Sequence, residues 1–182
     1  QLTSDLSALL RQRITSQLED DGYAADLVQA VAGDTVSTTR LLHDPLDVRV
    51  RIQLLRGLRD QGRLTAVQAV VQRASRLAEK GDLPLDVLSS TEVVDPSRFE
   101  SASEKGLFDA TERLNPLAER GAYQELCDVL VESTPALEAF FDGDQSVMVM
   151  ADDPALRMNR LNLLGVLRNQ AAVFAQFELI QS

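Results

Sequence analysis

Leu64-Thr65-Ala66-Val67-Gln68-Ala69-Val70-Val71-Gln72-Arg73-Ala74-Ser75-Arg76-Leu77-Ala78-Glu79-Lys80-Gly81 places apolar residues three and four positions apart. At about 100° per residue, Leu64, Val67, Val70, Val71, Ala74, Leu77 and Ala78 form one stripe, which predicts an α-helix with one face in a core. Gly81 ends the stripe. Arg73, Arg76 and Lys80 fall together on the opposite face, at i, i+3 and i+7.

The same period recurs on both sides. Upstream, Leu6, Leu9, Leu10, Ile14 and Leu18 predict a first helix, with Thr3 or Ser4 as its cap and Gly22 as its stop. Leu27, Val28 and Val31 mark a short helix closed by Gly33. Asp44-Pro45 supplies a capping carboxylate followed by proline at the first helical position, opening a helix to about Asp60. Downstream, Pro84 and Pro96 bracket an irregular stretch in which Asp95-Pro96 caps a single turn. Helical spacing returns at Leu107, Leu114 and Leu117, and after Gly121 at Tyr123, Leu126, Val129 and Leu130. A short segment from Pro135 to Phe141 follows, and Asp153-Pro154 caps a long helix to about Leu179. Val147-Met148-Val149-Met150 is the one strand-like run. A lone strand has no partner for its backbone, so a buried extended linker is expected there. The prediction is an all-α bundle of about seven to eight helices, one domain over residues 1–182.

Composition agrees with this. Of 182 residues, 45% are apolar and 25% charged, too apolar for disorder; aromatics are only 4%, so Leu, Val and Ala must build the core. The single Cys127 makes no internal disulfide and, set among Leu126, Val129 and Leu130, reads as a small buried hydrophobe in a reducing, cytoplasmic setting. No apolar run approaches the roughly 20 residues that span a bilayer. A start at Gln1 suggests a piece of a longer protein. The net charge of −10 argues against binding nucleic acid by bulk attraction. Residues 40–76, however, hold eight Arg against three acids, a basic island in an acidic chain.

Most catalytic motifs are missing. No Gly-rich phosphate cradle, HExxH or CxxC occurs. The only histidine, His43, sits beside Asp44 at a helix cap, so neither a metal cluster nor a histidine-dependent triad is available. Glu19-Asp20-Asp21 and Asp152-Asp153 are acidic runs at helix ends, where solvation explains them. Arg160 is unusual: it falls inside the stripe of Leu156, Leu163, Leu164, Leu167 and Phe174, so it must meet an acid in the interior or point along a groove, and a buried ion pair tying helices together is favoured over a ligand contact. Arg157 and Arg168 lie on the flank. The row Arg73, Arg76, Lys80 suits phosphates or stacking, although a solvated polar face is the commoner meaning of such a row.

The run Val147-Met148-Val149-Met150-Ala151-Asp152-Asp153-Pro154-Ala155-Leu156-Arg157-Met158-Asn159-Arg160-Leu161-Asn162-Leu163-Leu164 resembles the C-terminal signature of the glycyl-tRNA synthetase β-subunit family. Phe140-Phe141-Asp142 before it, Glu178-Leu179-Ile180-Gln181 at the end, Asp21-Gly22-Tyr23 with Asp26-Leu27-Val28-Gln29-Ala30-Val31, and Arg73-Ala74-Ser75-Arg76 also align. Gly143-Asp144-Gln145-Ser146 is longer than the family's usual link, and Gln72 and Arg76 depart from its Lys-Arg-Val-Ser-Asn. Ala155-Leu156-Arg157 with Arg160-Leu161 is similar to the DALR-type anticodon-binding domain shared with arginyl-tRNA synthetases.

The resemblance implies a non-catalytic, tRNA-recognising part of a glycine–tRNA ligase. An α subunit would use ATP and Mg to activate glycine, and two copies of each subunit would form the enzyme. Arg73, Arg76, Lys80, Arg157 and Tyr23 are the candidate tRNA contacts, and Arg160 a structural buried arginine; no DNA or membrane partner is implied. From periodicity and charge alone, a helical assembly module without RNA contact fits as well.

Overall fold

The computed structural model describes residues 2–181, apart from the side chains of Leu2, Thr3, Ser4 and Leu42. Those residues are 72% helical with no strand, so the fold is all-α, and eight α-helices form within two compact units. Unit one comprises residues 1–65 and 175–182; unit two comprises residues 66–174.

Unit one holds α1 (Leu2–Asp20), α2 (Ala25–Ala32), α3 (Thr38–His43) and α4 (Pro45–Asp60). The cap candidates Thr3 and Ser4 have side chains outside the described residues. Gly22 turns the chain at φ +86°, where a side chain would be strained. Asp44 accepts from the Leu46 and Asp47 amides, and Pro45 stands at the first helical position, as the sequence predicts. The six-residue α3 was not expected from periodicity, being too short to show one.

At the centre of unit one is α2, whose Leu27, Val28, Val31 and Ala32 are fully buried and which packs on α1, α4 and a 3₁₀ turn at Phe177–Leu179. Its last carbonyls find arginines. Arg51 of α4, wholly buried, donates to Val31 O at 3.3 Å and from Nε to Asp47 Oδ2 at 2.9 Å. Arg11 of α1 donates to the carbonyls of Ala32, Gly33 and Val36 and to Thr38 Oγ1. Two cations at the negative end of a helix satisfy groups the helix leaves open. The other end is held by Asp26, which accepts from Arg59 at 2.6 and 3.1 Å and from the Gln181 amide at 2.8 Å.

Most of α5 (Leu64–Ala78) belongs to unit two, with α6 (Ala102–Glu119), α7 (Tyr123–Phe141), α8 (Pro154–Phe174) and 3₁₀ turns at Ser90–Glu92 and Pro96–Arg98. Here α6 is central and packs on α7, α8 and the first turn. Gly165 lets the chain pass close to α8: a Cβ there would lie 2.8 Å from Leu83 Cδ2. Asp95 caps its turn through the Ser97 amide, and Asp153 accepts from the Ala155 amide.

Three expectations need correction. Pro135 does not begin a separate segment, because α7 runs through it to Phe141. Leu126, Leu130, Leu137 and Phe140 continue one buried stripe, and burying the last two offsets the roughly 3 kcal/mol of an interior proline. The final helix stops at Phe174 rather than near Leu179. There the chain turns, Gln176 donates to Ala30 O at 2.8 Å, and Phe177 and Ile180 become buried. Residues 147–150 are only alternately buried: Val149 is 7% exposed, Met148 74%.

Arg160 and Glu104 meet inside unit two, 4% and 0% exposed. Arg160 donates from Nε to Glu104 Oε1 at 2.8 Å, from Nη2 to Glu100 Oε2 at 2.9 Å, and from Nη1 to Met148 O at 3.0 Å. Burial pushes the Arg160 pKa down, and the two carboxylates more than offset this, leaving it above its usual range.

Two outcomes are expected in urea melts. Arg160→Ala should cost about 3 kcal/mol, because it strands a buried carboxylate; a cost below about 1 kcal/mol would place the pair outside the core's energetics. Asp26 provides a pH test. The Arg59 hydrogen bonds hold its carboxyl below the usual carboxylate range, with the Gln181 amide adding to them against partial burial. Its contribution is therefore present above about pH 4 and is lost as pH falls through the lower folded value. The stability gap between wild type and Asp26→Asn should be about 1–2 kcal/mol at pH 7 and should shrink near pH 3.

Candidate nucleic-acid interface

Seven of the stripe positions on α5 turn inward, with Leu64, Val67, Val70, Val71, Ala74 and Ala78 buried and Leu77 half-buried, so Arg73, Arg76 and Lys80 are left exposed on the other side. This follows directly from the helical period. The three cations differ in their surroundings. Arg73 donates from Nη1 to Asp142 Oδ2 at 2.6 Å, and its Cζ lies 4.6 Å from the centre of the Phe141 ring. Arg76 and Lys80 have no ion-pair partner among the described residues.

The remaining candidates sit elsewhere. Arg157, in the first turns of α8, is half-buried, and its Nη1 donates to Ala151 O at 2.9 Å. Tyr23 is 7% exposed. Its ring lies beneath Arg56, whose Cζ is 4.4 Å from the ring centre, so the outward surface at this point is the exposed Arg56 guanidinium. The sequence did not single out Arg56, and it marked Phe141 and Asp142 only as part of the family resemblance. Arg56 was legible as an arginine off the α4 stripe of Val48, Ile52, Leu55 and Leu58. The pairing of Phe141 with Arg73, 68 positions apart, carries no local signal.

The basic island is largely spent internally. Within unit one, Arg40 and Arg51 pair with Asp47, Arg49 with Asp21, and Arg59 with Asp26. Unit two carries ten basic against eighteen acidic side chains, a net of −8. What remains for a polyanion is a local patch rather than a long-range field.

The groups suited to covalent or acid–base chemistry are poorly placed for it. Cys127 is buried, and burial together with the neighbouring Asp128 pushes its thiol up to about 12, so the thiolate is scarce near neutral pH. His43 is exposed at the end of α3. Among the described residues no group of three His, Cys, Asp or Glu is arranged to hold a metal ion.

No family model matches the chain. It is 46% identical to the glycine–tRNA ligase beta subunit of Picosynechococcus sp., over 98% of this chain and 26% of that protein. The corresponding subunit of Acaryochloris marina is 45% identical over 93% of this chain and 25% of its own length. That of Sodalis glossinidius is 32% identical over 99% of this chain and 25% of its own. The chain thus spans about a quarter of the length of the curated relatives it matches. With the identity sustained from one end of the described helices to the other, the chain belongs to the glycine–tRNA ligase beta-subunit family and corresponds to about a quarter of such a subunit.

Proposed function

We propose that the chain is the DALR-type, anticodon-binding part of a glycine–tRNA ligase beta subunit, a tRNA-recognising module of the cytoplasm that performs no chemistry itself. The kinship to beta subunits along 98% of the chain carries this reading. The exposed cations at the end of α5 support it physically: Arg76 in its last turn and Lys80 in the turn that follows have no ion-pair partner among the described residues, which suits phosphates. ATP, Mg and the activation of glycine belong, in this reading, to an alpha subunit that joins two beta subunits in a four-chain enzyme. No helix of the described residues is long and apolar enough to cross a membrane.

The exposed Met148, at 74%, and Met158, at 40%, favour a second reading, a helical assembly module that docks another part of the enzyme. Charge reversal separates the two. In the intact two-subunit enzyme, Arg76→Glu with Lys80→Glu should weaken tRNA binding at least tenfold and lower the salt dependence by about two units of slope. Glycine-dependent ATP–pyrophosphate exchange should be unchanged. Unaltered tRNA affinity with an intact fold would leave assembly as the role. The chain alone, free of any alpha subunit, should show no glycine-dependent exchange, and activity in such a preparation would overturn the assignment.

A further inference from the structure

Arg73 is built unlike its neighbours on α5. Its guanidinium lies over the Phe141 ring at 4.6 Å, its Nη1 is fixed to Asp142 Oδ2 at 2.6 Å, and its Nη2 reaches Phe141 O at 3.5 Å. The group is thus held by its face and along one edge. The support is itself anchored. Phe141 stands edge-on to Phe140 at 5.3 Å and 85°, and Phe140 is fully buried. The Asp142 amide closes α7 by donating to Glu138 O at 2.9 Å, Gly143 turns the chain at φ +88°, and Val147 donates to Phe140 O at 3.1 Å.

Two consequences follow. Asp142 offsets the charge of Arg73, so a phosphate arriving here would meet a carboxylate as well as a cation, and the pair attracts it weakly. The planar face is not offset. The Arg73 side chain is 49% exposed, and its partners among the described residues lie beneath it and along its edge, so its exposed surface is available to a second flat π-system. A ring below, a guanidinium above it and open space beyond make a stacking platform.

We infer that Arg73, with Phe141 beneath and Asp142 beside it, is a stacking site for one unpaired nucleobase of a single-stranded RNA loop, while Arg76 and Lys80 meet phosphates. This inference rests on the tRNA-recognising role proposed above and divides the labour within it. Single-stranded loops can turn a base out onto such a surface, and stacking is tolerant of which base it takes. The platform therefore contributes affinity that salt does not erode, with specificity supplied elsewhere.

The test uses the intact two-subunit enzyme and a transcript of its glycine tRNA, with affinity measured across a potassium chloride series. Arg73→Lys keeps the charge and removes the plane. It should weaken binding about tenfold while leaving the salt slope as in the wild type. Arg76→Gln and Lys80→Gln should each lower the slope by about one unit. Transcripts carrying a single abasic nucleotide, stepped through the anticodon loop, identify the base: at one position the Arg73→Lys penalty should vanish. Thermal melting of each variant checks that the fold is retained.

Wild-type affinity in Arg73→Lys overturns the platform, as does a penalty that survives at every abasic position. A loss of about one unit of slope in Arg73→Gln would make Arg73 a phosphate contact instead. In each of these cases Arg76→Gln and Lys80→Gln keep the two claims apart. If they still flatten the salt dependence, the tRNA-binding face stands without the platform. If no variant alters RNA affinity, the tRNA reading of this face falls with it. Weakened subunit association with tRNA affinity intact would assign the platform to a protein contact.

Discussion

The Glu104 carboxylate organises unit two. One of its oxygens accepts from the Glu100 and Ser101 amides at 2.7 and 3.0 Å, which opens α6 as half of a capping box. The other oxygen receives Arg160 of α8. Arg160 in turn holds the Met148 carbonyl and so the chain between α7 and α8. One fully buried carboxylate thus fixes the start of one helix, the docking of a second and the course of the link leading into it. Desolvating both charges costs several kcal/mol, which a single ion pair would offset poorly. Here five hydrogen bonds converge on the pair, so its contribution lies in fixing one arrangement of α6, α8 and residues 147–150 as much as in stability.

Unit one solves a similar problem at the ends of α2. Short helices leave a large share of their backbone groups open, and α2 has only eight residues. Arg11 and Arg51 serve its carbonyl end, while Asp26 ties its first turn to Arg59 and to the Gln181 amide. This explains why a basic island can exist in an acidic chain without making a basic surface. Several of its arginines act as long donors that reach groups within unit one: Arg40 and Arg51 pair with Asp47, Arg49 with Asp21 and Arg59 with Asp26, and Arg51 also donates to Val31 O, so their charge is offset locally.

What was legible in the sequence is what is decided locally. Asp44-Pro45, Asp95-Pro96 and Asp153 act as caps because the capping geometry involves only the next two or three residues. Apolar periodicity located α1, α2, α5, α6, the first half of α7 and α8, and the Asp44-Pro45 cap located α4. Pro135 misled, because the local cost of proline was weighed without the buried Leu137 and Phe140 beyond it. The end of α8 misled as well, since Phe177 and Ile180 are buried by contacts distant in sequence. Arg160 could be singled out because a charge in a leucine stripe demands an explanation. Arg51 satisfies the same test, lying three residues after Val48 and four before Leu55. For the candidate interface, helical phase placed Arg73, Arg76 and Lys80 on one exposed face. It could not show that Phe141 and Asp142 lie against the first of them, nor that Tyr23 is covered by Arg56.

A net charge of −10 bears on how a chain like this can meet RNA at all. Surface charges act over a Debye length of roughly 8 Å in physiological salt, so an acidic surround repels a polyanion at every orientation except where a cation lies at the contact. The background therefore works against non-specific binding, and what attraction exists is confined to a few side chains. Within such a patch two kinds of contact complement each other. Unpaired cations such as Arg76 and Lys80 offset the local repulsion but lose their effect as salt rises. A guanidinium already neutralised by a carboxylate, as Arg73 is, adds little to that attraction; stacking through its face, however, is largely independent of salt and of the surrounding charge. On the proposed reading, an arginine whose charge a neighbouring carboxylate offsets is a weaker phosphate ligand than a free one while its face stays available to a base, and the same Asp142 that offsets the charge of Arg73 holds its plane in place.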